Sequence, residues 1–288
     1  MITPSFRNMF VYRHNLSLVL ALFFLPLSVL ADSPRSQFPP RPLEFGVFPH
    51  RSVSHIDDTF GVIAQRFASA LNRRVNFNAQ LSFDFFNEDL SSGLYDVVFL
   101  QPFDYVSAHE KHAYDVLATQ KESLTALLVV RPSSTIANVS DLKGHRISLP
   151  PENTAISFLV RDWLRSQDLI VGKDVFLDYA SSHVSCLQKA LLGFGLVCGT
   201  AKPVLGFFSE KLGFEFLTIA ETRAIPHTLF TVHPRVPQGA REKLLDVILH
   251  LHEGTDGKKL MDATRLSPFR HAEDSEYDIV RAMLRAEN

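Results

Sequence analysis

Four apolar residues in a row, Val97-Val98-Phe99-Leu100, run straight into Gln101-Pro102-Phe103-Asp104-Tyr105. A strand that is apolar on both faces must be covered on both faces, as in a parallel sheet flanked by helices. Pro102 suits the first turn of the helix that follows. The same rhythm recurs along the chain. Strands are expected near residues 43–48, 75–79, 124–130, 146–149, 176–179, 196–199, 214–221 and 226–233. Between them fall helical patterns. Phe60, Ile63, Ala64, Phe67 and Leu71 share one face of a helix over 59–71. Others are expected over 83–91, 183–192, 204–211, 240–252 and 275–287. Strands alternating with helices predict an α/β chain with mostly parallel sheets.

The N-terminus reads differently. Residues 1–15 carry Arg7 and Arg13 and no acid, residues 16–30 are apolar apart from Ser17, Pro26 and Ser28, and small residues lead to Ala31. This is the pattern of a secretory signal peptide cut after Ala31; the apolar run is short for a membrane span and holds a proline. Residues 32–42, rich in Pro, Ser and Arg, then form a flexible leader. Cleavage removes two arginines and no acid, so the formal charge moves from −2 to −4. No basic field remains to favour nucleic acid or an anionic membrane. In an oxidising compartment Cys186 and Cys198 either bridge or stay as buried thiols. The twelve histidines are scattered and no Cys-x-x-Cys occurs, so no metal or other cofactor is expected.

The stretch from Arg146 to Val160 sets a strand against Pro150-Pro151 and then a helix that begins near Asn153 and runs to about Gln167. Asn153 or Thr154 suits the N-cap, and open N–H groups at such a terminus make a seat for an anion. The order of elements suggests one lobe over residues 43–128, a second over 129–218, and a return to the first over 219–288. Two crossings between lobes make a two-stranded hinge, with a ligand cleft between the lobes.

The blocks Gly46-Val47-Phe48-Pro49, Gly93 to Tyr105, Val139-Ser140-Asp141-Leu142-Lys143-Gly144, Ser182-His183, Ala224-Ile225-Pro226 and Asp274-Ser275-Glu276-Tyr277-Asp278 carry a resemblance. In order and spacing they resemble the periplasmic phosphate/phosphonate-binding family of ABC transporters, over nearly the whole chain after Ala31. The resemblance implies a two-lobed periplasmic binding protein, type II-like, monomeric, that closes on a small anion and delivers it to a membrane permease. Its oxyanion cradle falls on Asn153, Thr154, Ala155, Ile156 and Ser157. Its histidine turn falls on His183, and its strand-end loop on Gln101, Pro102 and Tyr105.

Read from their own chemistry, Asn153 and Thr154 donate to an oxyanion beside free backbone N–H groups. His183 starts a helix after Ser181-Ser182 and donates from an environment-tuned imidazole. Tyr105 and Gln101 follow the C-terminal end of a buried strand, where ligands of open α/β sheets bind. Arg51, after the first strand with Pro49 and His50, offers a bidentate fork to phosphate or carboxylate. Arg223 lies near a hinge strand. No nucleophile with its base, no paired carboxylates and no Gly-rich phosphate loop is present in the sequence, so no enzyme is expected. The alternative to transport is a sensing module of the same fold that signals to a separate membrane kinase.

Overall fold

The computed structural model describes residues 41–77, 79–193 and 197–287. The expected signal peptide and all but the last two residues of the leader lie outside them. The chain opens with β1 (Leu43–Val47), α1 (Val53–Leu71), β2 (Val75–Phe77), α2 (Phe83–Ser91), β3 (Val97–Leu100), α3 (Pro102–His112) and β4 (Asp115–Gln120). It crosses into β5 (Leu127–Val130), β6 (Arg146–Leu149), α4 (Ala155–Ser166), β7 (Phe176–Tyr179), α5 (His183–Leu192), β8 (Val197–Thr200), α6 (Lys202–Leu212) and β9 (Leu217–Glu221). It returns with β10 (Leu229–Val232), α7 (Gln238–Leu249), α8 (Gly254–Thr264), β11 (Phe269–His271) and α9 (Asp278–Glu287).

These strands form two sheets, ordered β11-β4-β10-β3-β1-β2 and β7-β6-β8-β5-β9. In the first, β1 to β4 share a direction and β10 and β11 oppose it. In the second, β6 to β9 share a direction and β5 opposes it. Both sheets are therefore mixed, with antiparallel pairs where the chain enters or re-enters a lobe. Strands β5 and β9 belong whole to the second sheet, so the expected lobe boundaries at 128/129 and 218/219 fall inside them. The crossings are residues 121–126 and 222–228. They are tied to each other: Leu124 and Ile225 exchange backbone bonds of 2.8 and 3.0 Å, and Thr222 N–H donates to Ala126 O at 2.9 Å.

The first lobe is held by an aromatic core. Phe45 packs on Phe67 at 5.3 Å, Phe99 on Phe230 at 4.9 Å and Phe230 on Phe269 at 5.1 Å, between ring centroids. Rings at these separations add to the burial of their own area. One buried charge sits at the head of β3. Asp96 accepts from Arg41 at 2.5 Å, Arg235 at 2.6 Å and the Glu44 N–H at 2.9 Å. Burial raises the Asp96 carboxyl, but these three partners outweigh it and hold it below the usual carboxylate range.

In the second lobe α4 lies close on the sheet because residue 199 is glycine. A Cβ there would stand 2.5 Å from Leu149 Cδ2 and 3.0 Å from Val160 Cγ2. Cys186 on α5 and Cys198 on β8 are joined in a disulfide, which resolves the alternative left by the sequence. Among the described residues no helix is long and apolar enough to cross a membrane.

Four elements depart from the sequence reading. Helix α1 begins at Val53, six residues earlier than expected, from Ser52 as N-cap. Strand β4 is not foreseen, because Asp115-Val116-Leu117-Ala118-Thr119-Gln120 mixes polar residues into a buried strand. The structure satisfies them: Thr119 donates to His227 O at 3.2 Å, and Gln120 Oε1 accepts from Ser267 N–H at 2.7 Å. Helix α8 and the short strand β11 are likewise missed.

Candidate functional site

A cavity of about 560 Å³ is lined by residues from both sheets' connections. Its position follows from strand direction. β1, β3, β6, β7 and β8 deliver the chain at their C-terminal ends, and the next helix starts there. Ser52, Gln101, Thr154, Ser182 and Ala201, the N-caps of α1, α3, α4, α5 and α6, all line it. So does Phe83, the first residue of α2. The first six helices thus begin at one cavity, each with its positive dipole end toward the wall.

The side chains reinforce that field. Arg51 and Arg265 line the cavity, with His50, His55, His183 and His227, and no Asp or Glu stands among the described lining residues. Arg51 makes no ion pair among the described residues. Its Cζ lies 5.7 Å from the ring centroid of Phe207 on α6, while Arg265 approaches the same ring at 5.8 Å and pairs with Glu210 at 3.0 Å. Both arginines come from the first lobe and Phe207 from the second, so the ring sits under two cations contributed from across the gap. Burial, then the charge of Arg265, lowers the Arg51 pKa.

Three histidines are kept neutral. Burial takes His50 and His183 down to about 4, with Arg51 adding to both, and burial alone takes His227 to about 4. Partners fix two tautomers. His50 Nδ1 meets the carbonyl of Phe48 at 2.9 Å and must carry the proton. His227 Nδ1 accepts from the Thr228 N–H at 2.8 Å, so its Nε2 carries the proton as a donor. His183 Nδ1 is buried with no partner.

Of the residues expected in a site, Arg51, Gln101, Thr154 and His183 line the cavity together. Gln101 is not free, however. Its Nε2 donates to Asn153 O at 2.8 Å and its Oε1 accepts from Ala155 N–H at 2.8 Å, so it spans the lobes and occupies the first N–H of α4. Thr154 does not cap α4 with its side chain. Its hydroxyl donates to Pro151 O at 2.8 Å, a carbonyl that also accepts from the Thr154 N–H at 3.0 Å and the Ser157 hydroxyl at 3.1 Å. The free donors of α4 are backbone groups.

The other three need correction. The side chain of Asn153 is exposed and outside the cavity lining, because the turn preceding α4 brings only its carbonyl to Gln101. Tyr105 is fully buried inside the first lobe, donates to Asp274 at 2.7 Å and packs on Tyr277 at 4.7 Å. It stands one helical turn beyond the strand end, on the face of α3 turned to α9. Arg223 leaves the hinge on the outer side and pairs with Asp162 of α4 at 2.9 Å.

Sequence reasoning missed Phe207, Arg265, His55 and His227. The strand-end rule applied to β8 would have pointed to Ala201 and the first turns of α6, hence to Phe207. His227 lies in the second crossing, which forms the cavity floor of any such hinge. Arg265, after α8, gave no local signal.

Two mixed α/β lobes joined by paired crossings, with a cavity lined from both, define a two-lobed solute-binding protein. Residues 45–277 match the family described as ABC transporter, phosphonate, periplasmic substrate-binding protein, and the chain belongs to that family. It is a family of binding proteins rather than enzymes. Among solved structures, PhnD1 of Prochlorococcus marinus in complex with methylphosphonate aligns with a TM-score of 0.77 at 16% identity, covering 86% of this chain and 99% of that one. A binding component of an ABC phosphonate transporter from Pseudomonas aeruginosa aligns at 0.71 and 13% identity, over 85% and 86%. A Xanthomonas citri protein bound to ATP aligns at 0.67 and 14% identity, over 85% and 96%. At these identities the likeness establishes the fold. No curated protein matches the sequence.

Proposed function

We propose that this protein captures a solute bearing a small oxyanion, of the phosphate, phosphite or phosphonate kind, between its lobes, and presents it to the permease of an ABC transporter. The carrying observation is the cavity wall: six helix N-termini and two arginines with no described carboxylate among them. Such a wall favours negative charge at every side, and backbone N–H groups and a guanidinium fork match tetrahedral oxygens. Lining residues come from both lobes, so a ligand that touches both favours the closed arrangement by its differential affinity. Membership of a periplasmic transport family supports delivery over signalling. In this reading Arg51, His183, His227 and the N–H groups of α4 and α5 hold the anion, while Gln101 holds the lobes.

The test is thermal unfolding of the exported chain with phosphate, phosphite, methylphosphonate and sulfate. A ligand at 100 times its Kd adds about 2.7 kcal/mol of stability, a rise of several degrees. Such a rise with at least one phosphorus oxyanion, reduced in Arg51→Gln, supports the reading. The absence of a shift with all four at millimolar concentration would sink it.

A further inference from the structure

Resting on the oxyanion reading above, we propose that the cavity takes an oxyanion joined to an uncharged, flat, apolar body such as an aryl group, and discriminates against one joined to an alkylammonium. Size is the first argument. A tetrahedral oxyanion displaces roughly two to three waters of about 30 Å³ each, whereas the cavity measures about 560 Å³. That volume lies in the range of pockets that enclose whole organic ligands. The anion therefore leaves most of the space to whatever it is attached to.

The walls around that space are aromatic. Phe48, Phe83 and Phe99 of the first lobe line it, with Phe48 centred 6.4 Å from Phe83 and 5.7 Å from Phe99. The ring of His50 lies 4.7 Å from that of Phe48 and is neutral at pH 7, so it extends the same surface. Phe207 lines the cavity from the second lobe. Ring faces and edges of this kind bind flat apolar groups in stacked or edge-on contact.

Charge supplies the discrimination. An ammonium group entering the cavity loses its water and meets Arg51 and Arg265, with no described carboxylate among the lining residues to compensate. The two lining amide carbonyls are also spent. Gln101 Oε1 accepts from Ala155 N–H at 2.8 Å and Gln120 Oε1 from Ser267 N–H at 2.7 Å. Val184, 39% exposed, is a lining side chain where a carboxylate can keep part of its hydration.

Calorimetric titration of the exported chain with methyl-, ethyl-, phenyl- and 2-aminoethylphosphonate reads the proposal. Phenylphosphonate is expected to bind at least about tenfold tighter than methylphosphonate, and aminoethylphosphonate at least about tenfold weaker than its ethyl counterpart. Phe83→Ala should cost phenylphosphonate about tenfold while changing methylphosphonate less than about threefold. Val184→Asp should narrow the gap between the ethyl and aminoethyl ligands. Equal affinities for phenyl and methyl, or a preference for the aminoethyl ligand, would overturn this inference while leaving the oxyanion reading intact. If none of the four binds, this inference fails, and the phosphate, phosphite and sulfate arms of the unfolding test then decide the oxyanion reading separately. The wild-type ranking decides the matter even where a variant does not fold.

Discussion

Gln101 and Asn153 are joined across the two lobes: the Gln101 amide donates to the Asn153 carbonyl at 2.8 Å, and its own oxygen takes the neighbouring Ala155 N–H at the same distance. One side chain at the end of β3 thus closes a two-point clasp on the start of α4. Beside it Phe103 of α3 stacks on Phe158 of α4, centroids 4.3 Å apart. The two lobes are therefore joined, away from the crossings, by both polar and apolar contacts.

Replacing Gln101 by Leu removes both bonds and leaves the N–H of Ala155 buried without a partner. Each net bond is worth about 1 kcal/mol, so ligand affinity should fall about tenfold or more. Small-angle scattering of the ligand-free variant should give a larger radius of gyration than the parent. An unchanged radius and affinity would show that the clasp does not govern closure.

Arg51→Gln keeps a polar side chain but removes a guanidinium that makes no ion pair among the described residues. Charged hydrogen bonds contribute about 1.5–3 kcal/mol, so oxyanion affinity should drop about tenfold to a hundredfold. Thermal stability without ligand should hold or rise, since burial and Arg265 both disfavour this cation. Titration calorimetry and a melting curve check the two halves.

Acid should destabilise the fold in a defined window. His50, His183 and His227 have folded pKa values of about 4 against an ordinary 6.5, so the unfolded chain binds more protons between those values. Their contribution to stability is intact above pH 6.5 and declines as pH falls toward 4. Asp104 works the other way, because burial pushes its carboxyl up to about 7 and its proton is taken up by the folded state over the same window. Three groups against one leave a net loss on acidification. Urea unfolding at pH 7.5 and 5 measures it. A bound oxyanion should raise these histidine pKa values, so binding near pH 5 should take up protons in buffers of differing ionisation enthalpy.

Cys186→Ser with Cys198→Ser opens a loop closed over a sequence separation of 12 residues. The expected cost is about 2–4 kcal/mol, with a matching loss in reducing buffer for the parent protein. Denaturant titration with and without reductant tests both.

Asp96→Asn should be the costliest single change proposed here. It leaves Arg41 and Arg235, whose side chains are 53% and 32% exposed, facing a neutral group at the fully buried Asp96 position. Breaking a fully buried pair from one side costs about 3–5 kcal/mol, and the solvent open to both arginines brings the expected loss to the lower end of that range or below. In the parent the stabilisation is present above pH 4 and lost as acid protonates the carboxyl, because its folded pKa lies below the unfolded value. Guanidine unfolding of the variant reads the loss directly.

The alternation of covered strands with amphipathic helices fixed the α/β class, since burial on both faces of a strand is written in consecutive apolar residues. Strand ends likewise announced Arg51, Gln101, Thr154 and His183, because the next helix must begin where a parallel strand stops. Polar strands such as β4 stayed hidden: Thr119 and Gln120 find their partners in residues 227, 228 and 267, more than 100 positions away. Which way a side chain faces is also a tertiary matter. Tyr105 and Gln101 lie four residues apart, yet one turns into the first lobe and the other reaches the second. Phe207 and Arg265 meet only because the chain crosses between lobes twice. Local pattern determined the elements with apolar periodicity and the edge at which a ligand is expected; long-range packing alone decided the polar strands and which side chains reach that edge, because direction depends on neighbours that sequence proximity does not reveal.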